Sequence, residues 1–135
     1  PAYGRQRVLI RILFAAVGVA VWVDSEEQMH AVTAISGSGP AYYHLFSEAL
    51  AEAGVRLGLP AELSAALAAQ TALGAATLQC EPGAEFDQLR HAVTSPNGTT
   101  AAAIGVFESA QALRQLMADA TEAARHRSIE LSQAQ

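Results

Sequence analysis

The sequence predicts an all-α domain, with a single short strand near its start, and three observations carry that prediction. Apolar residues make up 51% of the 135 and charged residues only 16%, which is enough to fill a core and excludes a disordered chain. Alanine-rich segments place leucine and alanine at helical spacing, and short clusters of Gly, Pro and Ser separate them. Start and stop chemistry stands at the joints: hydroxyl caps before the apolar runs, glycine and proline after them. The surplus of apolar surface favours an oligomer over a free monomer.

Residues 8–23, VLIRILFAAVGVAVWV, form the first apolar run. It falls short of the ~20 residues a bilayer crossing needs, and Arg11 sits inside it, so a membrane span is not expected. Val8, Ile12, Ala15 and Ala16 fall at helical spacing up to Gly18. Val19 to Val23 then reads as a buried strand, being largely β-branched and aromatic, and Asp24 closes it.

Ser25 before Glu26 and Glu27 predicts a capped helix running to about Ile35. Ser36-Gly37-Ser38-Gly39-Pro40 interrupts it, and Pro40 suits the first turn of the next helix. There Tyr42, Leu45, Ala49, Ala53 and Leu57 make an apolar stripe, and Gly54 lets a neighbour approach. Gly58-Leu59-Pro60 ends that helix. Another spans Pro60 to Leu78, with Gly74 on its apolar face, and Glu81-Pro82-Gly83 breaks it. A short helix covers Phe86 to Val93, a further one starts near Asn97 to Thr99, and the last runs from about Leu113 to Leu131. Ser132 to Gln135 is expected to fray.

The formal charge of −5 contains no concentrated block, and no arginine-aromatic patch appears, so nucleic acid is not an expected partner. Cys80 stands alone. It excludes an internal disulfide, fits a reducing cytoplasm and is expected to be a small core residue. His30, His44, His91 and His126 fall on separate segments without metal-ligand spacing, and no metal site is expected. The cations Arg125 and Arg127 around His126 are expected to complement the dipole of the last helix. Gly37-Ser38-Gly39-Pro40-Ala41 resembles the start of a dinucleotide-binding fingerprint, but a helix precedes it and Pro40 lacks an amide. A tight break between closely passing backbones is the preferred reading.

Thr94-Ser95-Pro96-Asn97-Gly98-Thr99-Thr100 differs from these. A hydroxyl-rich turn entering a helix gathers outward-pointing amides of the first turn and hydroxyls beside them. Gly98 removes a side chain that would keep a ligand off the backbone. Such a site suits a small anion, and a carboxylate is the right size. The alternative is an elaborate N-cap without a ligand. A cap needs one Ser, Thr or Asn, whereas this seven-residue window holds five.

These segments together resemble the pyrroline-5-carboxylate reductase family over roughly residues 14 to 131. The resemblance is carried by AVGVAVWVD, AVTAISGSGPAYY, EALAEAGVRLGLP, QTALGAA, LRHAVTSPNGTTAAAIGVFE and the closing RSIEL. It implies an interlocking helical bundle dimerisation domain (6-phosphogluconate dehydrogenase C-terminal-like) over residues 25–135. Residues 1–24 would be the tail of a Rossmann domain, with the VAVWV strand its residual edge. The chain opens on Pro1 and shows no strand–GxGxxG–helix unit, so it is expected to be part of a longer protein.

The activity the resemblance implies is reduction of 1-pyrroline-5-carboxylate to L-proline with NADPH or NADH, the last step of proline biosynthesis. The cofactor domain is not present in the sequence, so the isolated chain is expected to be inactive, and a silent dimerisation module is the alternative. By the same resemblance Ser95, Gly98, Thr99 and Thr100 hold the substrate carboxylate, with Asn97 in the same loop, and Thr100, the catalytic candidate, lies near the ring nitrogen. A homodimer, a small-molecule substrate and a cytoplasmic location complete the expectation. Two departures from the family pattern stand out. Asn97 replaces the commoner glycine, which asparagine's tolerance of left-handed geometry accommodates. Ser109-Ala110-Gln111 replaces a glycine-bearing turn, which predicts a less sharp break between the last two helices.

Overall fold

The computed structural model describes residues 22–134, which are helix and connecting turn throughout. Helix α1 is Glu26–Val32 and leads into a π-helical turn, Thr33–Gly37. Helices α2 (Gly39–Arg56) and α3 (Ala61–Gln79) follow, then α4 (Phe86–Ala92) and α5 (Thr99–Glu108). A 3-10 turn, Ser109–Gln111, leads into α6 (Ala112–Gln133). The Val19–Val23 strand and the 8–23 run lie largely outside the described residues; Trp22 and Val23 belong to no helix or strand. No helix among the described residues is long and apolar enough to cross a membrane.

Local chemistry explains the joints. Ser25 Oγ accepts from the Gln28 amide at 3.2 Å, and the Gln28 side chain accepts from the Asp24 amide at 2.8 Å. The two bonds satisfy orphan donors reciprocally at the start of α1. Beyond α1 the expected interruption is a widened turn instead, closed by the Ser38 amide on the Thr33 carbonyl at 2.8 Å. The Tyr42 hydroxyl donates to the Ala34 carbonyl at 2.7 Å, and this bond joins the π turn to α2. The close backbone passage expected here is absent among the described residues: a Cβ on Gly37 would meet only Thr33, at 3.6 Å, and one on Gly39 nothing within 4 Å.

Helices α2 and α3 form an antiparallel hairpin around Gly58, whose φ of 103° only glycine adopts readily. Gly54 and Ser64 make the closest crossing. A Cβ on Gly54 would collide with Ser64 Oγ, which is buried and donates to the Ala51 carbonyl at 2.7 Å. Gly83, at φ 77°, turns the chain after α3. The other packed group sets α1 and the π turn against α6, with α5 folded back on α6. His30 Nδ1 lies 2.8 Å from Ser128 Oγ and links α1 to α6.

Three further expectations are corrected. Cys80 is exposed, because it caps the C-terminus of α3 beyond the hairpin contact. The tail is helical to Gln133, and the Ser132 hydroxyl donates to the Ile129 carbonyl at 2.7 Å. The cations of α6 do not lie in its last turn; Arg125 pairs with Glu122, and Arg127 with Glu130 at 2.8 Å.

The interior is small. Among the described residues the only buried apolar side chains are Ala34 and Ala68. Leu57 is 86% exposed, Phe86 74%, Val106 72% and Tyr43 70%. A side chain of this kind contributes about 1.5–3 kcal/mol when removed from water. A chain that leaves them out lacks the apolar burial that offsets conformational entropy.

Candidate functional site

The end of α4 and the start of α5 suspend the hydroxyl-rich loop between them. The last turn of α4 closes with the Val93 amide on the Arg90 carbonyl and the Thr94 amide on the His91 carbonyl. The Thr94 hydroxyl donates to that same Arg90 carbonyl at 2.6 Å, so the loop's first residue is tied to the helix it leaves. Ser95 to Gly98 then form a turn, with the Gly98 amide on the Ser95 carbonyl at 3.0 Å. Pro96 pre-sets the second position, and Asn97 takes the third at φ 63°. The left-handed residue expected of Asn97 is therefore present.

Gly98 is the N-cap of α5, in extended backbone, and no side chain caps the helix. A Cβ there would lie 3.2 Å from the Ser95 carbonyl oxygen and 3.4 Å from Ser95 Cβ. The first helical bond is the Ala102 amide on the Gly98 carbonyl. The amides of Thr99, Thr100 and Ala101 thus point out of the first turn without a side-chain acceptor. Among the described residues, the hydroxyls of Ser95, Thr99 and Thr100 hydrogen-bond no other protein group, whereas Thr94 spends its own on the backbone. Gly98 and Thr100 are half-buried, while Ser95, Asn97 and Thr99 are exposed. The structure therefore brings all five predicted residues into one turn, as an array of amides and hydroxyls able to receive a carboxylate.

The other candidates do not assemble. His44 and His91 are exposed, His126 Nδ1 lies 2.9 Å from Glu130, and His30 meets Ser128. No group of three His, Cys, Asp or Glu able to hold a metal ion occurs among the described residues. Gly37 ends the π turn and Gly39 begins α2, so no strand–turn–helix cradle for a nucleotide forms there.

One cluster has no signal in the sequence. Glu108, the last residue of α5, accepts from Arg114 Nε at 2.9 Å and from Arg114 Nη2 at 3.1 Å. Arg90 lines the same groove. The Arg114 guanidinium holds the Glu108 carboxyl below its ordinary value of 4.5, and the charge of Arg90 acts in the same direction. The backbone between them is also unexpected. Ala110 and Gln111 both lie in the left-handed region, at φ 52° and 55°. The break between α5 and α6 is therefore sharp, although no glycine makes it. Six residues of separation match no helical period, so only the kink reveals the pair.

The described residues form an all-helical unit with little interior, open apolar faces and an uncapped, hydroxyl-rich helix start, which are the features of an association domain. The chain belongs to the family described as pyrroline-5-carboxylate reductase dimerisation, whose model matches residues 26–131. It is 50% identical over 121 residues to a pyrroline-5-carboxylate reductase of Pseudomonas aeruginosa, a match covering 90% of this chain and 44% of that protein. The reductase structure from Coxiella burnetii superposes with a TM-score of 0.89 at 47% identity, over 94% of this chain and 47% of that one. The Plasmodium falciparum pyrroline carboxylate reductase with NADP bound gives 0.78 at 34% identity, over 92% and 47%. The chain thus spans about half the length of the relatives it matches.

Proposed function

We propose that this chain is the substrate-holding and dimer-forming part of an enzyme that reduces 1-pyrroline-5-carboxylate to L-proline with NADPH or NADH. The observation that carries it is the start of α5, where the amides of Thr99, Thr100 and Ala101 have no side-chain cap in spite of the surrounding hydroxyls. In this reading those amides and the hydroxyls of Ser95 and Thr99 grip the carboxylate. Gly98 keeps the backbone accessible, and Asn97 sets the turn.

Thr100, half-buried one residue into the helix, stands beside the ring nitrogen, where its hydroxyl hydrogen-bonds the nitrogen as that atom gains its proton. A carboxylate anchored on one side fixes the ring and presents one face of the C=N carbon. The nicotinamide cofactor supplies the hydride when bound. Nothing among the described residues cradles it; the NADP in the Plasmodium structure supports a nicotinamide cofactor for this family member. The boundary near residue 24, the homodimer and a cytoplasmic location belong to the same reading, and the open apolar faces and the family match support the dimer.

Amide NMR of the 135-residue chain titrated with L-proline tests the site. Shifts should concentrate at Gly98, Thr99 and Thr100, and Thr100→Val should weaken binding by about tenfold, the cost of one lost buried hydrogen bond. Shifts spread over the surface, or a Thr100→Val chain that binds as the parent does, would refute the assignment.

A further inference from the structure

We propose that the joint at Ala110–Gln111 is a hinge with two settings. The kinked setting is latched by the Glu108–Arg114 pair, and in the open one α5 and α6 run on as a single helix from Thr99 to Gln133.

Nothing in the sequence stops a helix at this joint. Residues 106–117, VFESAQALRQLM, hold no glycine or proline, and Ala, Gln, Leu, Arg and Met are strong helix formers. Yet Ser109 lies at φ −56° and ψ 122°, outside the helical region, and Ala110 and Gln111 both take left-handed backbone. Two successive non-glycine residues in that region are strained, and they persist only where their surroundings fix them.

What fixes them is narrow. Among the described residues α5 packs against α6 and the 3-10 turn alone. Phe107 and Met117, which line the groove where the two helices meet, both remain exposed. Across the kink Glu108 accepts from Arg114 Nε at 2.9 Å and from Nη2 at 3.1 Å. This two-point grip sets an orientation as well as a distance.

The pair belongs to the kinked setting only. On a continuous helix, residues six apart stand about 120° apart around the axis and about 9 Å along it, out of such a grip. The residues three and four places from Glu108, and from Arg114, are all uncharged. Straightening therefore loses the ion pair without replacing it, while it relieves both left-handed residues and adds backbone hydrogen bonds. Terms of opposite sign separate the settings, so one ion pair can choose between them.

The lever is α5 itself. Thr100 lies near its far end, about 12 Å along the helix from Glu108. Opening the hinge swings that end and the 94–98 loop away from α6, and no other described element packs on α5 to resist it. The hinge does not depend on what the loop binds.

Amide NMR of the 135-residue chain tests it. Relaxation dispersion at Ser109 to Ala112 measures the minority population, whose carbon shifts at Ala110 and Gln111 should be helical. Glu108→Gln keeps the shape and removes the charge. It should raise that population about threefold, the scale of an exposed ion pair, whereas Glu122→Gln, which removes a pair within α6, should not. Ala110→Gly, at ease in left-handed backbone, should lower it. Ala110→Val, whose branched side chain fits that backbone worst, should make the open setting the major one. Proton contacts from Phe107 to Ala110 and from Glu108 to Gln111 would then appear, with helical circular dichroism retained.

An exchange profile unchanged in Glu108→Gln, or changed equally in Glu122→Gln, overturns the latch. Minority carbon shifts at coil values overturn the open helix, since they mark a frayed joint. An Ala110→Val chain that stays kinked, or that loses helix, overturns the hinge as a whole.

Discussion

Asn97 and Gly98 divide the work of the loop between them. Asparagine tolerates the left-handed backbone at a turn's third position because its short polar side chain bonds locally. Glycine does so without a side chain, so Asn97→Gly should leave the chain as stable or slightly more so. Asn97→Val, whose branched side chain fits that region worst, should cost about 1–2 kcal/mol. Thermal denaturation of the two variants measures the difference. Gly98→Ala meets a different obstacle: its backbone is ordinary, but a Cβ would press on the Ser95 carbonyl at 3.2 Å. The turn must open by a few tenths of an ångström. The expected result is a loss of about 1 kcal/mol and a larger relative loss of L-proline binding, read by denaturation and titration of the same sample.

Among the elements, the α2–α3 hairpin and the α5–α6 kink respond oppositely to small changes. Gly54 faces Ser64 with no room for a methyl group. Gly54→Ala should cost about 1–3 kcal/mol, because it forces apart two helices whose buried hydroxyl bond to Ala51 depends on their contact. Urea denaturation would show it. Ala110→Gly removes a left-handed penalty and should stabilise the chain, by about 0.5–1 kcal/mol after glycine's entropy is counted. The ion pairs of α5 and α6 add a pH dependence. Hydrogen bonds from Arg114, Arg125 and Arg127 lower the pKa of Glu108, Glu122 and Glu130 respectively, below the ordinary 4.5. Carboxylates lowered in the folded state stabilise it above that value and lose their contribution as pH falls through their folded values. The melting temperature should therefore drop on acidification below about pH 4.5, and less steeply when Glu122 and Glu130 are both glutamine. These groups are exposed, so salt should reduce the effect.

At the scale of the whole molecule, the missing interior governs behaviour. Large side chains such as Leu57, Phe86 and Tyr43 stand open on faces that the described residues do not cover. A second copy that covers them makes folding and association one equilibrium, in which the melting temperature rises with protein concentration. Scanning calorimetry over a hundredfold dilution should show that rise, and sedimentation should give twice 14.1 kDa; a concentration-independent transition at monomer mass would contradict it.

What the sequence by itself determined is local. Helix positions followed from caps and breakers: Ser25, Gly58 and Gly83 act through bonds or φ values within a few residues, and the Thr94–Thr100 window was legible by composition as a hydroxyl-rich turn entering a helix. What only the tertiary structure decided depends on distance and angle. Cys80 was expected inside because cysteines usually are, yet its place at a helix end leaves it exposed. The glycine-free kink at Ala110–Gln111 stayed sharp because packing of α5 on α6 overrides the residues' own preference. His30 finds Ser128, and Arg114 finds Glu108, because the fold brings together side chains that no sequence period connects.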